Sequence, residues 1–354
     1  MPAAVERYAE QIRAAAADKR PLRLRGGGSK DFYGQVLQGE VLDTRAYAGI
    51  VAYEPTELVI TARCGTPLTE LEAVLRAHGQ QLAFEPPHFG PGATVGGMVA
   101  AGLSGPRRQA AGAVRDFVLG VRMLDGRGDD LSFGGQVMKN VAGFDISRAI
   151  AGSLGTLGLM LEVSLKVPPQ PYAEATLTQE LPQEKAIEML NHWGGKPLPV
   201  SACAWTGGEL GVRLSGAASA VKAAREAIGG ELIEAEQAGR FWLGIREQTV
   251  PFFRTEKPLW RLSVPSVAPP LALPGEQLIE WGGALRWLAS NADARTIREA
   301  AAHAGGHATL FRAADKSAGV FTPLAPALAR IHRNLKQAFD PAGIFNPGRM
   351  YPDL

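Results

Sequence analysis

The chain has 354 residues, 46% hydrophobic and 20% charged, an ordinary globular composition with room for two or more cored domains. Its 37 basic and 35 acidic residues leave a net charge of +2, which gives no argument for nucleic acid or a polybasic membrane face. The two cysteines, Cys64 and Cys203, exclude a disulfide framework and an iron–sulfur cluster held by this chain alone, which takes about four thiolates.

In chain order, Val5, Tyr8, Ile12 and Ala15 recur at helical spacing, so residues 1–20 read as a surface helix and not as a signal peptide. "LRLR" predicts a strand leading into "GGGSKDFYG". "ELVITARC" (57–64) predicts a strand running into a helix over "GTPLTELEAVLRAHG", with Thr66 as N-cap, Pro67 in the first helical position and Gly79 after the end. In "PHFGPGATVGGMVAAGLSG" (87–105), Thr94 caps a short helix starting at Val95. "FVLGVRMLDGRGDDLSFGG" (117–135) reads as two strands joined by "DGRG". "LMLEVSLKV" (159–167) alternates as a half-buried strand, and "PPQP" closes the first zone, residues 1–168.

The second zone, 169–310, runs through strand "YAEATLTQEL", helix "PQEKAIEMLNHW", a hairpin of "PVSACAWT" and "ELGVRLSG", helix "AASAVKAAREAIGG" and strand "ELIEA". That order is the ferredoxin-like split βαβ. All six tryptophans (193, 205, 242, 260, 281, 287) lie here, either as core or as a docking surface. The third zone, 311–354, holds a helix near 325–339 and the turn-rich "DPAGIFNPGR". No internal repeat is visible. The longest uncharged run, 149–161, is too short and Gly-rich to span a bilayer, so the protein is expected in the cytoplasm, at a membrane only through partners.

The glycine segments carry the candidate chemistry. "RGGGSK" has Ser29 and Lys30 in the wrong order for a Walker A loop, and no helix follows it as a Rossmann fingerprint requires. It fits a nest of backbone N–H groups from Gly26 to Lys30 converging on an anion, or a plain Gly turn. Two further Gly-rich segments, 87–105 and "AGSLGTLGLM" (151–160), share the domain. Three such segments suit a long ligand with a pyrophosphate and a flat ring system.

"RGGGSKDFYG", "GPGATVGGMVA", "GAVRDFVLGVRMLDGRG", "GGQVMKNVAGFDISRAIAGSLGTLG" and "FDPAGIFNPGRM" together resemble the flavoprotein family of vanillyl-alcohol oxidase and D-lactate dehydrogenase. The resemblance implies an α+β fold: a p-cresol methylhydroxylase-type FAD-binding domain with a short ferredoxin-like cap, and the C-terminal segment returning to the FAD domain. Within the family, "KNVAGFDISR" and the short cap are most similar to flavoprotein subunits of bacterial glycolate oxidases, although Phe144 stands where those have Tyr.

By position, the resemblance implies that Arg25, Gly26, Gly27, Gly28, Ser29 and Lys30 hold the pyrophosphate of FAD. Gly92, Ala93, Thr94, Gly96 and Gly97 would line the flavin and ribityl chain, Gly155, Thr156 and Gly158 the adenine half or diphosphate, and Asn346 the isoalloxazine edge. Arg115 and Asp116 would form a pair near the cofactor, or a plain surface salt bridge. The first loop lacks the His that tethers flavin in several relatives, so the FAD is expected to be non-covalent.

Six histidines are available (78, 88, 192, 303, 307, 332). His307 falls where the relatives' catalytic His stands; the alternative is a hydrogen-bonded His at a strand start. In "HAGGH" two glycines separate His303 from His307, so a shared helix face and a metal site are not expected. Cys64 and Cys203 read as small buried residues. The implied function is the FAD subunit of a complex that oxidises glycolate, a small hydroxy acid, with a larger FAD-binding subunit and an iron–sulfur subunit as partners. The alternatives are a self-sufficient hydroxy-acid dehydrogenase and a structural subunit without cofactor.

Overall fold

The computed structural model describes residues 3–135 and 145–354, so "KNVAGF" and with it Phe144 lie outside the described residues. Helix α1 (Ala3–Asp18) buries the face made by Val5, Tyr8, Ile12 and Ala15. Against it lie β1 (Leu22–Arg25) and β2 (Glu40–Asp43), paired in parallel. Next come β3 (Ile50–Glu54), β4 (Val59–Arg63), α2 (Leu68–Ala77), α3 (Val95–Ala101), α4 (Arg108–Ala111), β5 (Val118–Leu124), β6 (Asp130–Gly134), α5 (Ile146–Ile150) and β7 (Leu159–Lys166). The strands among them form an antiparallel sheet of order β3-β4-β7-β5-β6.

Two local expectations fail here for physical reasons. Thr66 does not cap α2; its hydroxyl binds both the amide and the carbonyl of Gly49, and Pro67 takes the N-cap position. β7 is not half-buried, because it lies between β4 and β5 with both faces covered; only Glu162 and Lys166 reach partial exposure. The short helix from Val95 begins as expected, with Thr94 Oγ1 accepting from Gly97 N at 3.2 Å.

The rest of the chain builds a second sheet from β8 (Ala173–Glu180), α6 (Gln183–Gly194), β9 (Val200–Thr206), β10 (Glu209–Gly216), α7 (Ala218–Ile228) and β11 (Glu231–Ile233). It continues through α8 (Ala235–Arg246), β12 (Leu259–Ser263), β13 (Glu276–Glu280), β14 (Leu285–Ala289), α9 (Ala294–His303) and β15 (His307–Arg312). The strand order is β11-β8-β10-β9-β13-β14-β12-β15. Its first four strands have the ferredoxin-like order. The last four repeat that order in reverse, with the two quartets joined where β9 pairs with β13. An internal repeat is therefore present in topology, though not in sequence. In the second quartet the crossover from β12 to β13 carries no helix.

One sheet face packs on α6 and α7 in the first quartet and on α9 in the second. The opposite face meets the first domain, where Leu278, Leu285, Trp287 and Phe311 pack with Tyr33, Ala101 and Leu103. Five of the six tryptophans are buried, and Trp205 is half-buried with its Nε1 donating to Leu181 O at 2.8 Å. The tryptophans are core, not a docking surface. Helix α10 (Pro326–Phe339) and the C-terminal segment return to the first domain, where Phe345 bridges Leu22. No described helix is long and apolar enough to cross a membrane.

Candidate cofactor site and the face above it

The end of β1 delivers "RGGGSK" against the segment that starts α3. Gly27 packs so closely on Gly92 that a Cβ would fall on the Gly92 carbonyl oxygen, and a Cβ on Gly26 would strike Thr94 Oγ1. The glycines thus do two things: they let two loops stack backbone on backbone, and they leave amides free toward a shared cleft. Two adjoining cavities form that cleft. One is lined by Arg25, Gly26, Gly27, Gly28, Ser29, Lys30, Thr94, Gly97, Asn346 and Arg349. The other is lined by Gly26, Cys64, Gly96, Gly97, Gly155, Gly158, Met160 and Asn346.

Most of the positions expected from the sequence therefore converge. Gly92, Ala93 and Thr156 do not reach the cavity walls. Gly92 supports Gly27 from behind, and Ala93 is buried with its carbonyl accepting from Leu68 N. Thr156 is buried too, its hydroxyl donating to Ser153 O and its carbonyl accepting from Lys336. Asn346 stitches two walls together: its Oδ1 accepts from Leu24 N at 2.9 Å and its Nδ2 donates to Leu154 O at 2.7 Å. Arg115 and Asp116 form no ion pair; the Asp116 carboxylate accepts from Ala113 N at 2.8 Å instead. Both cysteines are buried and free.

The loop after Lys30 is fastened from below by two cations. Arg349 donates to the carbonyls of Asp31, Tyr33 and Gln35, and Lys316 donates to those of Phe32 and Gly34 at 2.6 and 2.7 Å. Burial draws the Arg349 guanidinium down to about 10. Each carbonyl turned toward a cation is one turned away from an anion in the cleft, so the clamp supports an anion-binding loop. Arg349 sits in "NPGR", and that turn motif was the available signal for it.

Lys30 donates to His88 O at 3.2 Å and lies over the Phe89 ring. Its burial lowers the ammonium to about 8, against the opposing pull of Glu247. An anion in the cleft favours charged Lys30, so binding takes up a proton once the free site begins to lose it. FAD affinity should therefore fall above about pH 8, by up to about tenfold per pH unit. Titrating the dissociation constant against pH checks this, and Lys30→Gln should flatten the profile.

Above the cleft, the domain-facing side of the second quartet carries groups that sequence reasoning did not find. Arg261 on β12 stacks on the Trp281 ring at 5.1 Å, and Arg108 on α4 approaches the same ring at 4.3 Å. Among the described residues neither guanidinium has an ion pair or hydrogen bond, and burial lowers both. Glu280 on β13 is buried, accepts from Trp287 Nε1 at 2.7 Å, and is pushed up by burial to about 7. His307 starts β15 opposite Ser263, two residues from Thr309, which pairs with Arg261. It lies at the exposed margin, and burial of its ring together with Arg261 lowers its pKa. His303 ends α9, bonded to Glu299 O, so the two histidines share no helix face. Among the described residues no His, Cys, Asp and Glu cluster could hold a metal.

Comparisons with known proteins identify the family and the fold. Residues 1–134 match the family model described as "FAD binding domain". The glycolate oxidase subunit GlcE of Escherichia coli (strain K12) is 53% identical over 345 residues, 98% of this chain and 97% of that protein. A D-lactate dehydrogenase of Archaeoglobus fulgidus is 30% identical over 185 residues, 51% of this chain and 41% of its own. Bacillus subtilis glycolate oxidase subunit GlcD is 38% identical over 84 residues, 24% of this chain and 18% of its own. A solved alkyldihydroxyacetonephosphate synthase superposes with TM-score 0.68 at 14% identity, covering 97% of this chain and 75% of that one. The fold is the p-cresol methylhydroxylase type and the cofactor its first domain is built for is FAD; the chain belongs to the family of glycolate oxidase subunit GlcE.

Proposed function

We propose that this chain is the FAD-bearing subunit of a complex that oxidises glycolate to glyoxylate and passes the electrons to an iron–sulfur subunit. The observation that carries the reading is the 53% identity to GlcE along 98% of the chain, joined to a glycine cleft whose loops leave no room for side chains. When bound, the flavin supplies the hydride acceptor for a 2-hydroxy acid. Backbone amides from Gly26 to Lys30 hold the diphosphate without a covalent tether, and Lys30 adds charge.

Arg261 is the group placed to meet a small carboxylate. It faces the domain interface, forms no ion pair or hydrogen bond among the described residues, and is acted on by Glu280 only through space, with β14 between their two strands. An anionic substrate would recover the ion pair that Arg261 lacks, bidentate if both oxygens engage. The test uses the assembled complex with an artificial electron acceptor. Omitting this chain should abolish glycolate turnover, and turnover without it overturns the reading. Within the complex, Arg261→Gln should raise KM for glycolate at least about tenfold with a smaller change in kcat. An unchanged KM would place the substrate on the sister flavoprotein.

A further inference from the structure

Among the described residues, helix α10 packs on the first domain only through its C-terminal end and leaves the rest of its apolar stripe uncovered. From Pro326 to Leu335 it buries no side chain, and the residues it does bury, Lys336 and Phe339, lie at its C-terminal end. Leu328 and Ile331 are 51% and 57% exposed, and Leu335, in line with them, is half-buried. Positions i, i+3 and i+7 form one stripe on a helix. A helix of this length is marginal on propensity alone and takes its stability from packing. Here the first half receives almost none from its own chain.

Charge narrows what could cover the stripe. α10 contains no Asp or Glu; Arg333 is paired with Asp353 at 2.9 Å, and Arg330 is exposed with no ion pair among the described residues. Its N-terminus has no side-chain cap, so its free amides add positive potential. The helix is also coupled to the cofactor loop by ring contacts: His332 to Tyr351 at 6.1 Å, Tyr351 to Phe321 at 5.9 Å, and Phe321 to Tyr33 at 5.7 Å. Whatever seats on α10 therefore stands beside the FAD domain, not on the distant helices of the cap.

The geometry points to α10 as the docking helix for a partner subunit of the same complex, one that offers an apolar groove with an acidic rim. This rests on the reading above that the chain works inside a complex. Leu328 and Ile331 enter the groove, and Arg330 meets its rim.

The test co-expresses tagged chain with its partner subunits and compares the wild type with L328E/I331E and with R330E. Both sites are exposed, so the isolated variants should keep wild-type flavin content and melting temperature. L328E/I331E should weaken association at least about tenfold. R330E should weaken it less, and most at low ionic strength. Assembly of L328E/I331E at wild-type affinity overturns the proposal while leaving the complex intact. A wild-type chain that co-purifies with no subunit and oxidises glycolate alone overturns both the proposal and the reading beneath it. Two outcomes would replace the partner with something else and so also overturn it: binding to phosphatidylglycerol vesicles that the double variant loses while still assembling, or a homodimer that it breaks.

Discussion

A Gly27→Val chain should fold and yet be isolated without the visible flavin band. The side chain cannot be accommodated by rotation, because the Cβ itself lands on the Gly92 carbonyl, which is backbone. Relief requires the two glycine loops to separate, and that moves the amides from Gly26 to Lys30 off their common focus. The affinity loss should be at least about a hundredfold, which equals about 2.7 kcal/mol. Flavin content per chain, read beside a thermal melt, checks it. Gly194→Ala on α6, where a Cβ meets nothing within 4 Å, is the control and should keep its flavin. Full flavin content in Gly27→Val would show that the cofactor lies elsewhere.

The second large effect is expected at Asp340. Its carboxylate is wholly buried, accepts from Lys336 Nζ at 2.7 Å, and caps the amides of Ile344 and Phe345 at 3.1 and 2.8 Å. The same ammonium donates to Thr156 O and Phe345 O, both at 2.8 Å. Burial already lowers the Lys336 pKa despite its partner. Asp340→Ala would leave a buried cation with carbonyls alone and two amides unpaired, at a cost of about 3–5 kcal/mol. Because Phe345 and Asn346 follow directly and Asn346 joins Leu24 to Leu154, stability and flavin content should fall together. Adding Lys336→Met should recover part of the melting temperature, since the stranded charge is then gone. A single variant that melts like the wild type would count against the pair as the fastener of the C-terminal segment.

The glycine blocks were legible because glycine is needed there: backbone packs on backbone at Gly27, and at Gly155, with a φ of 72°, an added Cβ would strike Asn346 Nδ2. Most longer strands and helices up to β11 were legible from periodicity, whereas β2, β3, α4 and α5, each five residues or fewer, are too short to show a period. The second quartet was not. β12 and β14 are covered on both sides, so hydrophobic residues fall at successive positions and the period of two disappears. Arg261 and Glu280 were illegible for a related reason: they meet only through strand order, and nothing in the local sequence marks an arginine as unpaired. Thr66 misled because a threonine before Pro has the right chemistry for a cap, while the nearby Gly49 backbone offered its hydroxyl two partners.

The cation clamp beneath the glycine loop ties residues 30–35 to groups that are synthesised only after the cap. The Gln35 carbonyl waits for Arg349, 314 positions downstream, and the Phe32 carbonyl for Lys316, 284 positions downstream. A growing chain on the ribosome can form β1, but it must expose the following loop, unclamped, until the whole cap has emerged. Ordering of this loop is thereby placed after synthesis of the cap. A nascent chain truncated before Lys316 lacks both cations that hold these carbonyls, however complete the glycine segments are.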